Sequence, residues 1–201
     1  MTQKNVIIES VERVRSGFLN IDKVALRHST PEGGMTGTVF REVMQRGNAA
    51  AVLVYDKEKD AVLLIEEFRI GNLAAGLKGA ECWSLGPIAG MIDAGEDGMT
   101  CVIREAREEA GIDLEEKSVF GPIRHFSSPG GTSEILDIFV AMADLDTIDP
   151  SKMCNDADEH TKPVIISREN LNKLVFETAC PASLITACFL LDRIFQGAVY
   201  A

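Results

Sequence analysis

The chain has 201 residues, about a quarter of them charged, and a net charge of −11. The length fits one domain of usual size with a small extra element, and a core that large needs no disulfide staples. A strongly acidic balance argues against a nucleic-acid backbone or an anionic membrane as the main partner; an anionic small molecule remains compatible if bound metal matches its charge.

The five cysteines, Cys82, Cys101, Cys154, Cys180 and Cys188, are odd in number and form no C-x-x-C pair. They read as buried free thiols of a protein in a reducing cytoplasm. The first fifteen residues carry Glu9 and Glu12 and lack the apolar core of a signal peptide. The longest apolar stretch, residues 184–191, stops at Asp192 and Arg193, too short to cross a bilayer. The expectation is a soluble cytoplasmic protein without a membrane partner.

In chain order, residues 6–44 read as short strands. Residues 18–26 alternate partly between apolar and polar, Ser29-Thr30-Pro31-Glu32-Gly33-Gly34 is a turn cluster, and residues 38–44 return as a strand. Residues 49–55 and 61–65 are apolar β runs joined by the polar loop 56–60. Residues 70–78, rich in Gly and Ala, read as a mobile loop, and residues 83–90 as a short strand approach. Residues 98–110 have helical periodicity, with Val102, Ile103 and Ala106 on one side and Gly111 placed as a C-cap. Residues 135–143 form another β run. Residues 163–166 are a short strand, Ser167 can cap the next helix, and residues 182–195 form a strongly apolar final helix. Strands before and after an acidic helix, with two helices at the end, predict an α+β domain of α/β/α sandwich type.

The chemistry concentrates on the acidic helix. Glu105, Glu108 and Glu109 are three and four apart and share a face. Three carboxylates there repel one another, and a hard divalent cation would turn that repulsion into coordination. Glu96 enters from the preceding loop or first turn, Arg104 is placed to orient one of the carboxylates, and Gly90 and Gly95 permit sharp turns into the helix. Taken alone, such a cluster is more often a solvated helix face.

The full pattern weighs against that bland reading. Gly90, five residues, Glu96, seven residues, then Arg104-Glu105-Ala106-Arg107-Glu108-Glu109-Ala110-Gly111-Ile112 resembles the complete Nudix box. Seven fixed residue types match by chance about once in 10⁹ windows. The resemblance, which extends over residues 45–201, implies a Nudix fold and hydrolysis of a nucleoside diphosphate linked to another group, with Mg²⁺ or Mn²⁺. It implies Glu105 and Glu109 as principal metal ligands, Glu108 as a further ligand or orienter, and the Ala89 carbonyl beside them. Residues 1–44 would be an N-terminal β-rich dimerisation segment and residues 45–201 the hydrolase domain.

Further segments are similar to the ADP-ribose pyrophosphatase subfamily. Ser127-Ser128-Pro129-Gly130-Gly131-Thr132-Ser133-Glu134 follows the box after one strand. By that resemblance Ser128 and backbone amides at Gly130 would hold the terminal ribose or its phosphate, and Glu134 would accept from ribose hydroxyls. Arg41-Glu42-Val43-Met44-Gln45-Arg46-Gly47 and Leu64-Ile65-Glu66-Glu67-Phe68-Arg69 resemble subfamily strands, so Arg41 and Arg69 would contact the adenine or the phosphates. Ser16-Gly17-Phe18 resembles the segment that offers an aromatic to the adenine pocket of a partner, in a homodimer with exchanged N-terminal strands. A late acidic loop, Asn155-Asp156-Ala157-Asp158-Glu159-His160, stands where the subfamily supplies a general base. Glu159 is the first choice, Asp158 the second, and Glu108 a third. His125 and His160 lack metal-ligand spacing and read as structural. Glu67 replaces the usual Gln and Ala157 stands where one Glu would be expected, but the departure that bears on substrate choice is Gly86, where Glu is usual. A different nucleoside diphosphate sugar, such as GDP-mannose or an ADP- or UDP-sugar, therefore remains the alternative substrate, and a nucleotide sensor without turnover the alternative class.

Overall fold

The computed structural model describes residues 4–154 and 160–197. The chain divides into two units: residues 1–47 with 126–135, and residues 48–125 with 136–201.

The first unit is a three-stranded antiparallel sheet in the order β1 (Val6–Arg15), β2 (Asn20–His28), β3 (Val39–Gln45). β1 is ten residues long, where short strands were expected, and every one of its residues is exposed. Among the described residues it is an edge strand paired with β2 alone, with irregular register between Ile8 and Ser10 and between Arg13 and Arg15. Such bulges bend and twist an edge. On one face, Ile8 stands opposite Leu26 and Val11 opposite Val24, which in turn face Val39 and Arg41 on β3. The segment 126–135 joins this unit through the bonds Met44 N to Gly131 O (2.8 Å) and Ser133 N to Met44 O (3.0 Å).

The second unit is built on a mixed sheet ordered β10 (Lys162–Ser167), β5 (Ala61–Phe68), β4 (Ala49–Asp56), β9 (Ile135–Met142), β8 (Val119–Phe126). The short strands β6 (Trp83–Gly86) and β7 (Ile88–Met91) pair with β5 and β4. β4 and β9 run parallel; β4 with β5 and β5 with β10 are antiparallel. Alternation along β4 shows the layering, because successive side chains point to opposite faces. Ala50, Val52 and Val54 pack with Val102 and Ala106 of α2 (Gly98–Ala110). Ala51, Leu53 and Tyr55 pack with Leu171 of α3 (Arg168–Glu177) and with Leu184, Ala187 and Leu191 of α4 (Ala182–Phe195). Helices cover both faces, which is the α/β/α arrangement expected of a sheet whose central strands are apolar on both sides.

Asp56 fastens one end of the sheet. Its carboxylate accepts from the backbone amides of Glu58, Lys59 and Leu145 and from the Lys59 ammonium. Burial alone would raise its pKa, but these donors outweigh burial and bring it down to about 2.

Two expectations need correction. Residues 70–78 are not one loop: α1 (Ile70–Ala74) is helical, and a 3-10 turn follows at Gly79–Cys82. Gly and Ala content misled the reading, since Ala favours a helix and α1 lacks a capping side chain that would announce it. The five cysteines are free, but only Cys82 and Cys101 are buried; Cys180 and Cys188 are half-buried and Cys154 is exposed. Among the described residues no helix is long and apolar enough to cross a membrane.

Candidate active site

The local sequence fixes α2 at both ends. Asp97 accepts from the Thr100 amide at 2.8 Å and caps the start. Gly111 closes the helix in the left-handed region, at φ 65°. A Cβ there would also collide with the Asp149 carbonyl, so glycine is required twice over. Cys101, Val102, Ala106 and Ala110 face the sheet and leave the acidic face turned to β7 and outward.

Arg104 organises that face. Its Nε and Nη2 donate to the two Glu96 oxygens, each at 3.0 Å, a bidentate pair. Its Nη1 donates to Glu105 Oε1 at 2.7 Å and Glu108 Oε2 at 3.0 Å, and Nη2 reaches the Met91 carbonyl at 3.2 Å. One guanidinium thus holds three carboxylates and a strand. The hydrogen bond to Glu96 leads the effects that raise the Arg104 pKa further, and its counterpart holds Glu96 below the usual carboxylate range against the opposing effect of burial. Cys101, beneath the cluster, is pushed up to about 12, first by burial and then by Glu96 and Glu105. That thiol stays protonated and is a packing group rather than a nucleophile.

β7 lies against the helix. The Ala89 amide donates to Glu109 Oε2 at 3.3 Å, and Glu109 is buried. A Cβ on Gly90 would overlap the Glu105 carboxylate, so only glycine admits that side chain over the strand. The three carboxylates therefore divide: Glu109 turns in to Ala89, Glu105 lies over Gly90, and Glu108 turns out with Arg104. Among the described residues no three His, Cys, Asp or Glu side chains already converge as ligands of one ion. The donor chemistry nonetheless suits a hard divalent cation: carboxylate oxygens beside a backbone turn, with a glycine keeping the space open. A cavity of about 560 Å³ opens beside α2, bounded by Arg104, Arg107, Glu108, Asp113, Lys152 and Cys154. It adjoins the outer side of the cluster and does not include Glu105, Glu109 or Ala89.

The remaining sequence candidates are distributed over the chain. Arg69 follows β5 in the second unit and pairs with Glu67 at 2.5 Å. In the first unit Arg41 lies on β3 and donates to the Phe40 carbonyl at 2.8 Å, while Phe18 is 96% exposed at the bend between β1 and β2. The loop carrying Ser128, Gly130 and Glu134 also belongs to the first unit, and Ser128 O closes its turn by accepting from Gly131 and Thr132. Asp158 and Glu159 lie outside the described residues. Sequence reasoning assigned no role to Arg46. Its guanidinium pairs with the mostly buried Glu134 at 2.9 Å, and its backbone amide donates to Ser133 Oγ at 3.1 Å. Residues 88 positions apart carry no shared period that would have signalled this pair.

The NUDIX domain family matches residues 45–177. The chain is 36% identical to the ADP-ribose pyrophosphatase of Escherichia coli strain K12 over 87% of its own length and 81% of that protein. It is 33% identical to the ADP-ribose pyrophosphatase of Haemophilus influenzae over 71% of its length, an alignment that spans 65% of the relative. The GDP-mannose pyrophosphatase of Cronobacter sakazakii is 34% identical over 67% of this chain and 70% of that one. A crystal structure of an ADP compounds hydrolase shares 25% identity and a TM-score of 0.71, covering 96% of this chain and 97% of the other.

Proposed function

This chain belongs to the NUDIX domain family of hydrolases, and from that premise we propose that it cleaves the diphosphate of ADP-ribose to AMP and ribose 5-phosphate. Water attacks one phosphorus, and the bond from that phosphorus to the bridging oxygen breaks. The observation that carries the reading is the Arg104-centred cluster of Glu96, Glu105 and Glu108, with Glu109 against Ala89. Relatives named for ADP-ribose support the substrate class.

Glu105, Glu108 and Glu109, with the Ala89 carbonyl, would hold a divalent cation, Mg²⁺ or Mn²⁺. Such an ion neutralises diphosphate charge and activates water. Arg104 acts as a catalytic orienter: its bonds to Glu105 and Glu108 keep both carboxylates from drifting into solvent. The general base is Glu159, or failing it Asp158 or Glu108. Arg41, Arg69 and Phe18 bind the adenine and phosphates, and Ser128, Gly130 and Glu134 the terminal ribose. In that role Arg46, paired with Glu134 at 2.9 Å, holds its carboxylate in place as an acceptor for ribose hydroxyls.

The enzyme works as a cytoplasmic homodimer with exchanged N-terminal strands. Supporting this, Val6, Ile8 and Val11 form an exposed apolar row on β1, an unusual surface for a strand that stays single. A related reading, hydrolysis of GDP-mannose or another nucleoside diphosphate sugar, is favoured by the Cronobacter relative and by Gly86.

Product analysis over a panel of nucleoside diphosphate sugars, with Mg²⁺ and with Mn²⁺, tests both. We expect AMP and ribose 5-phosphate from ADP-ribose as the fastest reaction. Glu109→Gln should lower kcat by about 10³-fold or more, the scale of losing a main electrostatic stabiliser of the reacting group. Full activity in that variant would refute the ligand assignment, and binding without turnover in the wild type would point to a sensor.

A further inference from the structure

Glu67 and Gly86 lie on neighbouring strands. β5 and β6 are antiparallel, with Ile65 opposite Gly86 and Glu67 opposite Ser84. Residues 65 and 67 are two apart on one strand, so positions 67 and 86 present Cβ to the same face of the sheet as diagonal neighbours. Position 67 carries a carboxylate and position 86 none. That carboxylate is engaged: Glu67 Oε2 pairs with Arg69 Nη2 at 2.5 Å. Gly86 is buried, and an added Cβ would meet Pro181 Cγ at an ordinary 3.6 Å.

Arg69 sits just past the end of β5, with its side chain about half exposed. A long guanidinium arm in that setting has many rotamers, and a single carboxylate two residues earlier on the same face restricts them. An ion pair this exposed adds little to stability. Its consequence is directional.

We infer that Glu67 is a positioning residue: its carboxylate aims the Arg69 guanidinium. The inference rests on the reading that Arg69 binds a nucleoside diphosphate sugar. Glu67 itself touches no substrate. It acts through Arg69, so its loss weakens substrate binding and leaves the carboxylate cluster on α2 intact.

The test uses the full-length protein and whichever nucleoside diphosphate sugar it turns over fastest. Glu67→Gln should raise KM about tenfold while kcat changes by less than about threefold. Glu67→Asp, which keeps a carboxylate, should lie between wild type and Glu67→Gln. In an Arg69→Ala background, Glu67→Gln should add less than about twofold. An unchanged KM in Glu67→Gln, or the same penalty with Arg69 absent, overturns the proposal while leaving the enzyme assignment standing. A wild type that hydrolyses nothing in the panel removes both. Failure of Glu67→Gln to fold also overturns it, because a pair that matters for direction alone does not hold the fold.

Discussion

β1 and β4 are both rich in aliphatic side chains, and their surroundings are opposite. All of β4 except Ala49 is buried, whereas every residue of β1 is exposed. Composition alone does not separate them: Val6, Ile7, Ile8, Val11 and Val14 are as apolar as Val52, Leu53 and Val54. What separates them is how many sides are served. β4 has hydrogen-bonded neighbours on both edges and helices over both faces, while β1 has β2 along one edge. Apolar strand character shows that a residue favours a pleated, covered surface; it does not show that the same molecule supplies the cover.

The sharpest way to break this comparison is to hollow out β4. Leu53 is fully buried among residues of β5, β9, α3 and α4. Leu53→Ala should cost about 2–5 kcal/mol in a denaturant titration, the usual range for a deleted core leucine. A cost below about 1 kcal/mol would show that β4 is less tightly enclosed than its burial indicates.

A smaller effect is expected at the end of the same strand. The Asp56 carboxyl is held at about 2, below the usual carboxylate value of about 4. A depressed folded-state value contributes stability that is fully present above the unfolded-state pKa. That contribution is lost as pH falls from about 4 through about 2. Asp56→Asn should cost about 1–3 kcal/mol at neutral pH, because three backbone amides and the Lys59 ammonium lose a charged acceptor. Its unfolding curves should also depend less on pH across that window than those of wild type. An unaltered acid limb would assign acid sensitivity to other carboxylates.

The smallest effect on unfolding belongs to β1. Ile8→Ser should shift stability by no more than about 0.5 kcal/mol, as surface changes do. If β1 is exchanged between subunits, the same substitution should instead move sedimentation from dimer toward monomer. A monomeric wild type would end the exchange reading, and a large loss of stability in monomeric protein would mean that β1 is covered within its own chain.

The two regions also differ in how much could be read without coordinates. α2 was legible because two local signals agree, a period of apolar residues and Gly111 at its end; the Asp97 cap at its start emerges only in the structure. The β4–β5 hairpin announced itself by two apolar runs around a polar loop, and Ser167 caps α3 as its position suggests, accepting from Asn170 at 3.2 Å. α1 was missed because five residues are too few to show a period. The exposure of Cys154 was missed because burial is a property of the assembled fold. The Arg46–Glu134 pair was invisible because it links distant segments through a return of the chain. Within the acidic cluster, spacing places Glu105, Glu108 and Glu109 on one face, but it does not say that Arg104 draws two of them one way while the Ala89 amide draws the third another.

The return of residues 126–135 to the N-terminal unit has a practical consequence for dissection. The backbone passes from one unit to the other three times, after residues 47, 125 and 135, so neither unit is a continuous stretch of polypeptide. Truncating the gene at Gly47 would not liberate a self-sufficient hydrolase. It would strand a ten-residue excursion whose backbone partner, Met44, had been cut away, and homologous modules could be grafted between such enzymes only by exchanging both pieces together.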